Sequence, residues 1–357
     1  MNERRIASAR LEMARRGVDA LVVTVGSDLP YLIGYQAMEN ERITALVLPA
    51  EGDPVLLVPV LEEVRVESGV EKRAWSETED PIAILAGLIG NASTVAVGNQ
   101  TWATFLIGMQ TRLPGARFEP AEPLMSELRM VKDEGEIASL RAAGAATDAV
   151  VARLGATRFS GRSERELSRL IDEMTLDSGH QRSGFAIVAS GPNGASPHHE
   201  PTGRMIERGD AVVVDFGGWL DGYGSDTTRM FVVGDPPGGF AEAYEVLGAA
   251  QRSAVDAVKP GVTAGSIDVA ARTVIEDGGY GELFIHRTGH GIGLDTHERP
   301  YLVKGDTTEL ASGMAFSIEP GIYQPGHWGM RIEDIVTVTD DGVERLNRSD
   351  RELYTVG

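Results

Sequence analysis

The sequence predicts two domains, an α/β domain over residues 1–125 and an α+β domain over residues 126–357. Three observations lead there. Helical and β-like segments alternate through the first third of the chain, the pattern of a layered α/β structure. A proline-rich stretch, Leu113 to Pro123, then reads as a linker. Beyond it, an order of two helices, strands and a carboxylate-bearing hairpin occurs twice, which suggests an internal duplication with a site between the halves.

The first helix is expected over Glu3 to Arg16, where apolar residues recur at helical spacing and Gly17 stops it. The run Ala20 to Val25 suits a buried strand. Thr44 to Leu48 and Pro54 to Val58 flank the turn Ala50-Glu51-Gly52-Asp53 and read as a hairpin. Helix, strand and helix follow over Pro81–Gly90, Thr94–Val97 and Trp102–Leu113. In the second domain a long helix is expected from Asp133 to Leu154. Another begins at Ser163, where Ser163-x-x-Glu166 forms a capping box, and ends at Gly179. A strand, Phe185 to Ala189, precedes a first hairpin around Asp215. Helices over Phe240–Val258 and Ser266–Asp277 precede a second hairpin spanning Glu319 to Glu333.

At 357 residues, 42% hydrophobic and 24% charged, the chain is long enough for well-developed cores. Its net charge of -20, from 53 acidic against 33 basic side chains, repels phosphate backbones and anionic lipid, which argues against nucleic-acid and membrane partners. No cysteine is present, so disulfides, thiolate metal sites and a cysteine nucleophile are excluded. Any metal must be held by imidazole and oxygen. The N-terminus lacks the apolar core of a signal peptide, and no apolar run is long enough to span a bilayer, so a cytoplasmic protein is expected.

The chemistry concentrates in the two hairpins. Val212-Val213-Val214 form an apolar strand that ends on Asp215, and the chain returns through Leu220-Asp221-Gly222-Tyr223 to Ser225-Asp226-Thr227-Thr228-Arg229. Either aspartate alone reads as a turn residue. A strand this apolar, however, rarely buries a lone carboxylate, because desolvation costs several kcal/mol, on the order of what a cation must offset. The second hairpin repeats the pattern. Ser317-Ile318-Glu319 runs into Pro320-Gly321, read as a turn, and Arg331 to Val338 reads as one strand with Arg331, Glu333 and Ile335 on one face and Asp334 on the other. Between the hairpins lies His286-Arg287-Thr288-Gly289-His290-Gly291-Ile292-Gly293, whose glycines let the backbone approach whatever the imidazole binds. Four carboxylates and one imidazole, Asp215, Asp226, His290, Glu319 and Glu333, form a hard, oxygen-rich set. Such a set favours manganese, cobalt or zinc, and two ions share it more naturally than one.

With Asp215-Phe216-Gly217-Gly218, Ser225-Asp226-Thr227-Thr228-Arg229, the His290 glycine run, Ile318-Glu319-Pro320-Gly321 and Arg331-Ile332-Glu333-Asp334 in this order, the chain resembles the pita-bread metallopeptidases. Within them it is most similar to the branch of aminopeptidase P and prolidase, with a creatinase-type first domain. Methionine aminopeptidases lack that domain. The resemblance implies a curved antiparallel sheet with outer helices and a pseudo-twofold axis, and a homodimer. It implies that Asp215 chelates one metal, Asp226 and Glu333 bridge two, and His290 and Glu319 bind the other. His198, after Pro197, and His297 match two further site histidines, while His199 reads as a solvent-exposed loop residue.

The implied reaction is hydrolysis of the bond before a proline in second position of a peptide. A water between two dications ionises near neutral pH, Glu319 shuttles protons, and His297 stabilises the oxyanion. Arg331, with Tyr223, Thr228 and Arg299, is expected around the metals or the substrate. Prolidases that resemble this chain often carry, just after His297-Glu298-Arg299-Pro300, an arginine for the substrate carboxylate. Tyr301 stands there instead. That favours aminopeptidase P-like action on longer peptides over a strict Xaa-Pro dipeptidase, although Arg299 could substitute. A creatinase-like C–N hydrolase without metal and a binding protein on the same fold are the remaining readings, and the intact ligand set argues against both.

Overall fold

A computed structural model of the chain describes residues 2–357 and divides into two compact units, Met1–Arg129 and Met130–Gly357. The first unit contains α1 (Glu3–Arg16), β1 (Ala20–Val23), α2 (Asp28–Ile33), β2 (Ala45–Pro49), β3 (Val55–Pro59), α3 (Val60–Glu63), β4 (Glu71–Trp75), α4 (Pro81–Ile89), β5 (Thr94–Val97), α5 (Ala103–Arg112), β6 (Arg117–Pro120) and α6 (Glu122–Met130). Asn2 caps α1 by accepting from the Arg5 amide, and Gly17 closes it in the left-handed conformation that only glycine adopts without penalty. The strands form one mixed sheet in the order β4-β3-β2-β1-β5-β6, and β2 and β3 make the expected antiparallel hairpin. The stretch expected to be a linker is instead structured. Residues 117–120 pair with β5 as the edge strand, and α6 follows at once, so the 125/126 boundary expected from sequence falls inside a helix. Prolines at 114, 120 and 123 sit at turns and element ends, where their missing N–H costs nothing.

The second unit opens with α7 (Glu134–Gly155) and α8 (Glu164–Asp177), each started by a capping box, Asp133 with Glu136 and Ser163 with Glu166. Next come β7 (Arg182–Ser190), β8 (Ala211–Leu220), β9 (Tyr223–Gly224) and β10 (Thr227–Val233). The second half repeats the order with α9 (Phe240–Ala257), α10 (Ala264–Asp277), β11 (Gly289–Gly291), β12 (Glu298–Leu302), β13 (Ala315–Ile318), β14 (Gly321–Gln324), β15 (Trp328–Arg331) and β16 (Asp334–Val338). Strands β17 (Val343–Arg345) and β18 (Tyr354–Val356) close the chain. The sheets run β18-β10-β8-β7 and β12-β11-β13-β16-β17, antiparallel throughout except where β18 lies parallel to β10, with β14–β15 as a separate ribbon.

Alternation along β8 decides what each face meets. Val212, Val214 and Phe216 pack with Val150, Leu154, Leu167 and Ile171 of α7 and α8. Ala211 and Val213 pack instead with Met230 and Val232 of β10, with Leu247 and Ile267 of α9 and α10, and with Phe316 and Val336 of the second sheet. Asp215 falls on this second face by the period of two. Each fully buried Val, Leu or Phe contributes roughly 1.5–3 kcal/mol, so two cores of this size offset the desolvation of a few acids.

Asp215 pairs with Thr228, and Asp226, between β9 and β10, lies diagonal to it on the same face, so the two carboxylates converge. Two local expectations are corrected. Pro320-Gly321 is not a turn, because the chain runs on into β14 and reverses at residues 325–327, where Gly326 has φ 75°. Arg331 to Val338 is not one strand, since Ile332 and Glu333 cross between the β14–β15 ribbon and β16. That crossing is held by the Glu333 amide donating to the Thr228 carbonyl at 3.2 Å.

Candidate metal centre

All five ligands expected from sequence line one cavity of about 890 Å³, together with His198, His297 and Arg331. Donor atoms of Asp215, Asp226 and Glu333 lie within 4.8 Å of one another, and so do those of His290, Glu319 and Glu333. Glu333 belongs to both groups. Asp226, His290 and His297 form a third. The glycines beside His290 serve a purpose different from the one expected. A side chain at Gly289 would meet the Ser317 carbonyl at 2.0 Å and one at Gly291 the Arg299 carbonyl at 2.1 Å, so they let neighbouring strands close on β11. His290 Nδ1 faces the Gly291 carbonyl at 3.1 Å, an acceptor only, which leaves the Nε2 lone pair directed at Glu319 (3.2 Å) and Asp226 (3.7 Å).

Among the described residues, Arg331 is the buried cation bonded to these acids. It donates to Asp215 Oδ2 at 2.5 Å, to the Tyr323 hydroxyl at 2.8 Å, to Thr228 Oγ1 at 3.0 Å and to the Pro197 carbonyl at 3.4 Å. Thr228 in turn donates to Glu333 Oε2 at 2.8 Å. His286 Nε2 lies 2.9 Å from the Tyr323 hydroxyl, and burial with the Arg331 charge lowers this imidazole to about 4, so it accepts. The remaining oxygens, Asp215 Oδ1 and Glu333 Oε1, are buried without a hydrogen-bond partner. Burial first, then the neighbouring carboxylates, raises the pKa of Asp226 and Glu333, and burial pushes Glu319 up to about 7 against the pull of Arg331. Orphaned oxygens on acids that repel one another are what a cation site requires, so the residues fit a pair of divalent ions.

Three expectations about the surroundings change, those for Tyr223, Arg299 and His199. Tyr223 does not reach the cavity; it packs with Leu140, Ile292 and Ile335 and its hydroxyl donates to Glu136 at 2.9 Å. Arg299 does not line the cavity either, and its guanidinium lies 5.6 Å from the Tyr301 ring. Thr228 backs Glu333 and Arg331 without lining the cavity. His199 is not a free loop residue, because its Nε2 lies 2.9 Å from Glu164.

Glu164 has no signal in the sequence beyond that of an acid at a helix start. It is fully buried and takes six hydrogen bonds of 2.7–3.0 Å: from the amides and hydroxyls of Ser190 and Thr202, from Asn193 and from His199. Burial alone would raise its pKa, but these donors overcome burial and hold it at about 2. The loop so fixed carries Ser196, Pro197 and His198 into the cavity. Sequence reading also passed over Tyr323 and Ser317. The Ser317 hydroxyl accepts from the His290 amide and donates to Glu319, which joins the two residues.

The chain matches two family models. The model of metallopeptidase family M24 matches residues 138–340, and that of the creatinase/prolidase N-terminal domain matches residues 5–131. The chain is 45% identical to the probable dipeptidase PepE of Mycobacterium tuberculosis, over 99% of this chain and 96% of that one. It is 36% identical to the Xaa-Pro dipeptidase of Lactobacillus helveticus over 92% of each. The crystal structure of the prolidase from Thermococcus sibiricus superposes with a TM-score of 0.96 at 38% identity, covering 100% of this chain and 99% of that one.

Two outcomes follow from this geometry. Asp226, Glu319 and Glu333 bind protons more tightly folded than unfolded, so without cations their contribution to stability falls as pH rises above the ordinary carboxylate range, for Glu319 through about 7. The gain in Tm on adding manganese to chelator-treated protein is therefore expected to grow between pH 5 and pH 7.5; a gain independent of pH contradicts the account. Glu164→Gln presents one carbonyl oxygen where the Ser190 and Thr202 amides bond to different oxygens, so one backbone N–H meets an NH₂ group in either orientation. The expected loss on chemical denaturation is about 2–3 kcal/mol, with turnover reduced at full metal content.

Proposed function

The chain belongs to metallopeptidase family M24, in the branch of prolidase and aminopeptidase P, and on that basis we propose that it is an Xaa-Pro dipeptidase working with two divalent cations. The family makes it a metallo-exopeptidase. One observation carries the dinuclear reading: Glu333 is shared by two groups of converging donors, with buried oxygens on Asp215 and Glu333 left unpartnered. Tyr301 in place of an arginine had favoured longer peptides. The relatives named as dipeptidases and Xaa-Pro dipeptidases favour the dipeptide, and we adopt it as the substrate class.

Asp215, Asp226 and Glu333 would hold one cation, and His290 and Glu319, with Asp226 and Glu333, the other. Manganese suits this oxygen-rich set best, with cobalt and zinc next. When bound, such ions acidify water and polarise the scissile carbonyl. The side chains supply the rest. Glu319 has Oε1 tied to Ser317, so Oε2 takes the proton from the attacking water and returns it to the prolyl nitrogen, which leaves as a secondary amine. His297, its ring centroid 3.9 Å from that of His290, donates to the oxyanion. His198 faces the reacting bond from the loop fixed by Glu164. Arg331 and Tyr323 hold Asp215 in place. Phe185 and Ile187, on the β7 face that also bears on Asp215, supply with Pro197 an apolar wall for the proline ring. The scissile amide carries no N–H, so this wall and not a backbone hydrogen bond positions it. Among the described residues no helix is long and apolar enough to cross a membrane. The family resemblance supports a homodimer in the cytoplasm.

The test is a panel of Xaa-Pro dipeptides, Xaa-Pro-Xaa tripeptides and longer peptides with manganese, cobalt or zinc. Dipeptides are expected to be cleaved fastest and a chelator to abolish turnover. Tripeptides preferred over dipeptides would return the assignment to aminopeptidase P. Full activity in chelator with less than one metal per chain would sink the metallopeptidase mechanism. Asp226→Asn removes a bridging charge and is expected to lower kcat at least about 1,000-fold while the protein stays folded by circular dichroism; near-normal turnover would contradict that role.

A further inference from the structure

Arg287 lines the same cavity as Glu319 and His297, yet no hydrogen bond or ion pair among the described residues occupies its guanidinium. In a chain with twenty more negative than positive charges this is unusual. Arg331, the other arginine of the cavity, has its donors spent on Asp215, Tyr323, Thr228 and Pro197. The guanidinium of Arg287 is nonetheless held in place. Its carbon lies 4.3 Å from the centre of the Tyr301 ring, a stacking contact that fixes the plane while leaving the donor edges open. Its backbone is clamped on both sides. Arg272 donates to the carbonyls of Phe284 and His286, while Asp268 accepts from the amide and hydroxyl of Thr288. His286 Nδ1 lies 2.7 Å from the Arg287 carbonyl.

A rigid fork of donors, preorganised and without an internal acceptor, is the arrangement that binds a carboxylate in two-point fashion. Resting on the dipeptidase reading above, we infer that Arg287, stacked on Tyr301, receives the terminal carboxylate of an Xaa-Pro dipeptide and is the residue that selects dipeptides over longer chains. In such a substrate the carboxylate is attached to the α-carbon next to the scissile nitrogen, so it must lie close to the reacting centre. A peptide continuing beyond proline offers a neutral amide there and would leave Arg287 buried against the substrate without a counter-charge, a cost that discriminates more strongly than a missing methyl group would.

The test compares Ala-Pro with Ala-Pro amide on the manganese-loaded enzyme and on Arg287→Met, which keeps a side chain able to pack on Tyr301. The wild-type enzyme is expected to prefer the free acid in kcat/KM by about 100-fold or more. The variant is expected to lose about 100-fold on the acid, mainly through KM, and at least tenfold less on the amide. Arg287→Lys, which keeps the charge and loses the fork, should fall between. As a readout that needs no turnover, proline should raise the Tm of the wild-type enzyme more than prolinamide does, and this difference should vanish in Arg287→Met. Equal losses on both substrates, or a preference for the acid that survives in the variant, would overturn the assignment while leaving the dipeptidase reading intact. A wild-type enzyme indifferent to the terminal carboxylate would overturn both.

Discussion

Four carboxylates gathered in a largely buried cavity, with the Arg331 guanidinium bonded to one of them, set the terms for everything around them. Two unit charges 4 Å apart repel by roughly 4 kcal/mol at the effective dielectric of a protein site. Several such pairs would consume most of the 5–15 kcal/mol by which a typical domain is stable, as an order-of-magnitude guide. Protons or cations must therefore accompany the fold. Two arginines, Arg287 and Arg331, line the cavity against four acids, and divalent cations or protons offset the negative charge that remains.

The scaffold answers with rigidity. Each half of the second unit buries a further acid away from the cavity, fully hydrogen-bonded, and uses it to hold a loop that enters the site. Glu164 ties down the loop carrying Pro197 and His198, and Asp268, paired with Arg272, ties down the one carrying His286 and Arg287. These acids already have complete sets of protein donors and need no metal ion. Metal-free carboxylates thus shape the mouth of the cavity, while the unpartnered ones line its floor.

Much of this was legible in the sequence, for reasons that differ by element. Capping boxes at Asp133 and Ser163 and the Gly17 stop mark helix ends because they are local chemistry. The five converging side chains were legible because an apolar strand seldom ends on an acid unless a cation or a proton offsets its desolvation. Edge strand β6 was hidden because its partner, β5, lies some twenty residues away and prolines flank it. The break at Ile332 and Glu333 was hidden because alternation continues across it while the hydrogen-bonding partner changes from β14 to β13. Tyr223 was misplaced for a similar reason: a residue just past a tight turn can face either side, and Glu136 of a distant helix draws it away. Glu164 could not be read at all, since its donors come from the end of β7 and the loop beyond it, which local sequence does not place near α8.

The Thr228 hydroxyl has a single proton. Arg331 can only donate, so Thr228 must accept from it and pass its own proton to Glu333 Oε2. Asp215 is constrained alike, with Oδ2 taken by Arg331. Each acid keeps one oxygen, Glu333 Oε1 and Asp215 Oδ1, for whatever arrives from the cavity. A proton and a cation then compete for the same atom, and the floor of the cavity behaves as an ion exchanger whose exchange points are fixed by the direction of its hydrogen bonds.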